Sequence, residues 1–296
     1  MKHKITLLLV LAILLTCCGC ANTSTQPPKI TLNWSFPSPT AVPTVSEPTA
    51  TPAPSADVPS TDKIDKSALQ NIDGSVKGTW SATFDKNTGR PIFDARLKAI
   101  LDKYRAHYIG DESEKTIYLT FTAGYEAGYT GQILDILKKY EIPATFFILK
   151  WYAVSAPELT QRIIDEGHNL GNHTLSHKQL TNESIDTIVS EIGTMHDYIK
   201  ENFGYDMLYF RPSYNMFDER VIAAADMMGY KISLWSLAYV DWGTDRGKEY
   251  AYHSVINSLH NGCVINLHAT YQSNATALES IIQEALARGY TFAPLP

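Results

Sequence analysis

Between residues 65 and 296, short apolar or β-branched runs alternate with segments of helical period. No other feature of the chain restricts its fold as much. Strands are expected at Thr116–Phe121, Ala144–Leu149, Asn169–Gly171, Leu208–Phe210, Lys231–Trp235, Val264–Leu267 and Thr291–Phe292. Helices fall between them at Gly131–Tyr140, Glu158–Glu166, Ser184–Asn202, Glu219–Met228, Tyr252–Leu259 and Ala275–Arg288. A parallel sheet covered by helices gives this pattern. Gly167, Gly229 and Gly289 each follow a helix and precede a strand, as a left-handed C-cap would. About seven strand–helix repeats predict an α/β barrel rather than an open sheet, forming a single globular domain.

The rest of the chain divides by composition. Lys2 and Lys4 precede an apolar run from Ile5 to Leu15, followed by Thr16, Cys17, Cys18, Gly19 and Cys20. A basic start, a short apolar stretch and a small-residue cleavage zone read as a signal peptide over residues 1–20. The run is about half of the ~20 residues that span hydrocarbon, so a retained membrane helix is the weaker reading. Leu14-Leu15-Thr16-Cys17 has the apolar-apolar-small-Cys form of a bacterial lipobox, so one of Cys17, Cys18 and Cys20 is the expected lipidation site and membrane anchor; plain secretion is the alternative. Residues 21–64 are dominated by Pro, Thr and Ser and read as an extended, solvated spacer. Residues 65–110 lack clear alternation and are expected to form a leader that packs on the barrel domain at 111–296.

Downstream of the cleavage zone only Cys263 remains, so an extracytoplasmic barrel of this kind must stand on packing without an internal disulfide. Cys263 itself lies in an apolar run and is expected in the core. The net charge of −6 argues against nucleic acid as a partner, since phosphate tracking needs a basic surface.

In barrels of this class the reacting side chains come from the C-terminal strand ends and the loops after them. Those positions carry Thr122-Ala123-Gly124-Tyr125-Glu126, Asn172-His173-Thr174-Leu175-Ser176-His177, Arg211-Pro212-Ser213-Tyr214, Asp241-Trp242 and His268. His173 and His177 stand four apart just past a strand and could face one divalent ion. His268 closes an apolar strand, where it is either a hydrogen-bonded core histidine or a well-placed general acid. His107, His168, His196, His253 and His260 lie in helical or loop context and read as surface groups.

Thr120–Glu126 (TFTAGYE), Gly171–His177 (GNHTLSH), Phe210–Tyr214 (FRPSY), Val240–Trp242 (VDW) and Asn266–His268 (NLH) together resemble the five ordered motifs of the NodB-type polysaccharide deacetylases, carbohydrate esterase family 4. The set is most similar to the bacterial peptidoglycan deacetylases that prepare muramic acid for δ-lactam formation. The resemblance covers roughly Leu97 to Phe292 and implies a distorted (β/α) barrel that hydrolyses N-acetyl groups from amino sugars of cell-wall peptidoglycan. It implies His173 and His177 as ligands of a divalent metal, zinc by preference. Arg211 would orient a general base, Asp241 would tune His268, and His268 would protonate the leaving amine. Tyr214, Trp242 and Tyr125 would line the sugar pocket. A metal lowers the pKa of bound water from about 15.7 to about 7, and base and acid complete the hydrolysis.

The chain departs from that pattern at the first motif. The family's catalytic Asp aligns with Thr122, and the next position, a metal-binding Asp in many relatives, is Ala123. A hydroxyl is a negligible base near neutral pH, and losing a positioned base costs roughly 10²–10⁴-fold. Two imidazoles without a carboxylate also fall short of the usual three protein ligands, so a weak metal site is expected. Glu126, four residues on, is the nearest carboxylate in sequence. Three readings follow: a slow de-N-acetylase, a pseudoenzyme that binds cell-wall glycan, and a surface scaffold for protein docking.

Overall fold

The structure, a computed structural model of the chain, describes residues 59–61 and 64–296. The expected signal peptide, Cys17, Cys18 and Cys20, and most of the spacer lie outside the described residues. The leader contains α1 (Lys66–Gln70), β1 (Lys77–Thr79), β2 (Ala82–Phe84), β3 (Pro91–Phe93) and α2 (Ala95–Lys103). The repeats then run β4 (Thr116–Ala123), α3 (Thr130–Tyr140), β5 (Ala144–Ile148), α4 (Lys150–Ser155), α5 (Pro157–Asp165), β6 (Asn169–Asn172) and α6 (Ile185–Phe203). They continue with β7 (Tyr209–Phe210), β8 (Met216–Asp218), α7 (Glu219–Met228), β9 (Lys231–Ile232), α8 (Lys248–Ile256), β10 (Cys263–His268), α9 (Gln272–Ala287) and β11 (Thr291–Phe292).

Seven strands form one parallel sheet in the order β10-β4-β5-β6-β7-β9, with β11 pairing the start of β4. An isolated parallel bridge from Leu237 to Ile265 joins the chain just past β9 to β10, so the sheet curls into the distorted barrel that the alternation predicts. Every residue of β5 is buried, as befits a parallel strand covered on both faces. The helices start and stop on local chemistry. Ser184 and Asp218 accept backbone N–H bonds at the starts of α6 and α7, and Gly204 and Gly229 end them at φ 65° and 97°.

β9 is shorter than the expected Lys231–Trp235. The physical reason is local: the carbonyls of Ser233 and Leu234 accept bonds from the Arg211 guanidinium, and Ser236 and Leu237 turn to the carbonyl of Val264. The histidines at 168, 196 and 260 are also not surface groups, for all three are buried. His168 accepts from the Ala144 N–H at 3.3 Å, His196 meets the Tyr230 hydroxyl at 2.9 Å, and His260 meets the Ser236 hydroxyl at 2.7 Å. Cys263 is in the core, where burial pushes its thiol up to about 12.

The leader does more than cover apolar surface. β1 pairs antiparallel with β8, and Trp80 donates its indole N–H to the carbonyl of Trp235 at 2.7 Å while stacking on Phe93. Its backbone N–H bonds the Asn215 carbonyl at 2.7 Å. These contacts brace the turn after β7 from outside the barrel. Among the described residues no helix is long and apolar enough to cross a membrane.

Candidate active site

Parallel register decides which side chains meet. Thr122 on β4 lies opposite His268 on β10 and Phe147 on β5, while Asn172 on β6 lies opposite Ile148 and Phe210. His173 then bonds back to the Ile148 carbonyl, and Arg211 to that of Asn172. All these strands run the same way, so their C-terminal ends form one rim.

The loop after β6 holds the two imidazoles in an unusual backbone path. Thr174 and His177 both have positive φ, 76° and 60°, a conformation that non-glycine residues adopt only when their surroundings fix it. Here α6 fixes it. Glu191, buried to 7% exposure, accepts from the Ser176 N–H at 2.9 Å and its hydroxyl at 2.6 Å, and its own carbonyl takes the Leu175 N–H. The Asn172 side chain accepts from Thr174 N–H and donates to the Ile192 carbonyl and the Tyr230 hydroxyl. His173 Nδ1 lies 2.8 Å from the Arg211 carbonyl. A carbonyl only accepts, so Nδ1 carries the proton and Nε2 is left with a lone pair. The two imidazole centroids are 5.2 Å apart, and the ring of Tyr214 lies 4.2 Å from that of His177. Burial pushes His173 well below the ordinary imidazole range and lowers His177 as well.

Arg211 is fully buried inside the barrel. Its Nε donates to the Ser233 carbonyl at 3.1 Å. One terminal nitrogen reaches Asn266 Oδ1 at 2.7 Å and Thr122 Oγ1 at 3.3 Å, and the other reaches Thr120 Oγ1 at 3.0 Å and the Leu234 carbonyl at 3.1 Å. The guanidinium also lies 4.0 Å over the Phe147 ring. Gly171 permits this stacking layer, because a Cβ there would stand 2.6 Å from Phe147. Every acceptor around Arg211 is neutral. Burial pushes its pKa down to about 9, which still leaves it charged at neutral pH. Where the resemblance implies an anionic base, the Thr122 hydroxyl donates to Asn266 Oδ1 at 2.9 Å.

At the end of β10, next to Thr122 in register, His268 Nδ1 lies 2.6 Å from Asp241 Oδ1. Asp241 Oδ2 accepts from the His268 backbone N–H at 2.8 Å and from the Asn274 amide at 2.6 Å. With one imidazole nitrogen held by a buried aspartate, the other is presented for proton transfer. Trp242 stands edge-on to His268 at 5.8 Å and is 54% exposed, much like Tyr214 at 53%. Tyr125 is exposed beyond β4, but the ring contacts that join Tyr214 and Trp242 to the imidazoles do not include it.

The donor set does not fit a catalytic metal. His173 and His177 supply two imidazoles, Ala123 offers no ligand atom, and three protein ligands are usual. Among the described residues, no three or more His, Cys, Asp and Glu side chains gather as a metal-binding group. Glu126 joins no such group, and one of its oxygens accepts the N–H groups of Gly128 and Thr130 at the start of α3. Sequence reasoning missed Glu191 and Asn274. A Glu in the middle of a helix and an Asn near a helix start gave no sign of contacts across the rim.

Comparison with known proteins follows the same rim. The family described as Polysaccharide deacetylase matches residues 109–233. The chain is 43% identical over 219 residues to an uncharacterized 30.6 kDa protein of Geobacillus stearothermophilus, covering 73% of this chain and 83% of that one. It is 38% identical over 216 residues to the peptidoglycan-N-acetylmuramic acid deacetylase PdaA of Bacillus subtilis, covering 72% and 82%. The solved structure of that PdaA, a family 4 carbohydrate esterase, superposes with a TM-score of 0.72 at 36% identity over 75% of this chain and 96% of that one.

Proposed function

This chain belongs to the polysaccharide deacetylase family, the family 4 carbohydrate esterases, and from that premise we propose a peptidoglycan-directed member that binds N-acetylated glycan but hydrolyses it slowly at best. One observation carries the reading. At the end of β4, beside Arg211, stands a hydroxyl that donates to Asn266, with no carboxylate among the groups that meet it.

The rim retains the acid half of a hydrolysis. His268, oriented by Asp241, is placed to give a proton to a departing amine nitrogen. Tyr214 and Trp242 offer exposed ring faces on either side for a sugar. The base half is missing, because Thr122 cannot take a proton from water at neutral pH. A metal in a complete site of this family would activate water, but the two imidazoles here do not make one, so no step is derived through it. The N-terminal segment supports an extracytoplasmic address: a signal peptide, a lipidated Cys17, Cys18 or Cys20, and a Pro/Thr/Ser-rich spacer would hold the barrel near the cell wall.

Acetate release from N-acetylated peptidoglycan and chito-oligosaccharide, measured with added Zn²⁺ or Co²⁺, tests the reading. Wild type is expected near background, and Thr122→Asp is expected to raise the rate by roughly 10²–10⁴-fold. Wild-type turnover that Thr122→Asp does not increase would refute it.

A further inference from the structure

We infer that His173 and His177 serve this chain as the floor of a cleft that binds N-acetylated glycan without a metal ion, rather than as a metal-holding pair. The inference rests on the cleft being a glycan site, as proposed above, and adds how the cleft holds its ligand.

Three observations carry it. First, the donor set is one ligand short: Ala123 has no ligand atom, Glu126 is tied to the start of α3, and Asp241 is taken up by His268 and Asn274. Second, protein contacts hold the His173 ring and the His177 backbone. His173 is anchored through Nδ1 to the Arg211 carbonyl, and the His177 backbone N–H bonds Thr174 Oγ1, which in turn meets Ser213 Oγ at 2.7 Å. The loop is held further by Glu191 through Ser176. These ties set the His173 ring whether or not an ion is bound, and they leave its Nε2 lone pair free as an acceptor. Third, Tyr214 leans over the His177 ring at 4.2 Å and 34°, so the imidazole backs the phenol ring, which is half exposed. Trp242, edge-on to His268, adds a second exposed ring. Ring faces bind the apolar face of a pyranose, and the His173 Nε2 lone pair can accept from a hydroxyl or an amide N–H. Recognition of an acetamido sugar therefore needs nothing that this chain lacks.

The test is a fluorescence titration of full-length protein, following the exposed Trp242, with the pentasaccharide of N-acetylglucosamine and with soluble glycan strands released from peptidoglycan. Each titration is run once in EDTA and once in Zn²⁺. The dissociation constants are expected to agree within roughly twofold between the two buffers. Tyr214→Asn, which tolerates the residue's positive φ of 58° while removing the ring, is expected to weaken binding roughly 3- to 10-fold in both. Binding that appears only with Zn²⁺ would overturn this inference while leaving the glycan-binding reading intact. Undiminished binding by folded Tyr214→Asn would overturn the role given to the ring pair of His177 and Tyr214. Absence of binding in both buffers would overturn the glycan cleft itself, and this inference with it.

Discussion

Replacing Thr122 by Val tests whether position 122 is structural or chemical. Valine keeps the shape and the β-branched fit to β4 but removes the hydroxyl. That hydroxyl makes one good bond, donating to Asn266 Oδ1 at 2.9 Å, and is a distant second acceptor for Arg211 at 3.3 Å. The nearer acceptor on the same guanidinium nitrogen, Asn266 Oδ1 at 2.7 Å, survives the change, so no N–H of Arg211 is stranded. The loss is therefore one neutral hydrogen bond, about 1 kcal/mol, offset in part because a buried methyl replaces a buried hydroxyl. A urea melt is expected to show a midpoint shift equivalent to about 0–1.5 kcal/mol with an unchanged slope. Acetate release, for which a near-background wild-type rate is proposed, is expected not to fall. If Thr122→Val lowers a measurable wild-type rate by roughly tenfold or more, the hydroxyl takes part in the reaction. The account of an absent base would then be wrong.

Three further outcomes follow from the same contacts. Glu191→Ala removes the side-chain acceptor of both the Ser176 N–H and its hydroxyl, so it should cost about 1–3 kcal/mol in a urea melt and weaken glycan binding; full-strength binding would mean that the His173–His177 loop is held by other ties. In the Thr122→Asp background, Asp241→Asn should reduce acetate release by roughly 10²–10⁴-fold, because the amide cannot hold His268 as the carboxylate does, and an equal rate would remove His268 from the acid role. Burial holds His168, His196 and His260 below the ordinary imidazole range, so below about pH 6.5 the unfolded chain takes up protons that the folded chain refuses. Stability is thus fully present above that pH and is lost as pH falls toward the folded values, by up to about 1.4 kcal/mol per pH unit for each histidine. Urea midpoints that stay flat between about pH 7 and about pH 5 would contradict this.

The barrel was legible because its strands are buried on both faces and therefore read as apolar runs, and because glycines at 167, 229 and 289 punctuate the returns at positive φ. The leader was not legible. β1, β2 and β3 are half-exposed three-residue strands, too short for a period to show, and β1 finds its partner β8 more than a hundred residues away. α4 escaped notice for a similar reason, being six residues long and directly after a strand. At the rim, the motif residues could be picked out, but their partners could not. Asn274 reaches Asp241 and Glu191 reaches Ser176 only after helices α9 and α6 have packed. The buried histidines failed for a related reason: a polar residue in a helix, as at His196, or in a loop, as at His168 and His260, says nothing about its burial until its partner is known.

The retained motif residues do not by themselves argue for turnover, because several are structural ties. Arg211 joins β4, β10 and the chain after β9 through five hydrogen bonds from inside the barrel. Removing it would strand buried acceptors at about 1–3 kcal/mol each, whether or not the protein ever cleaves an amide. His173 secures the start of one loop to the start of the next, and Asp241 secures its loop to both β10 and α9. Each of these side chains would be needed by a barrel that only binds. A base carboxylate at 122 is different. In this packing Arg211 is already satisfied by neutral oxygens, so an added carboxylate would have to be desolvated, and Asn266 would have to turn its amide to donate to it. It would also pair with the buried guanidinium, but its distinctive use is to take a proton from water. The residue at 122 therefore bears on chemistry, whereas Arg211, His173 and Asp241 bear mainly on the rim, and the proposed loss of hydrolysis is to be tested at position 122.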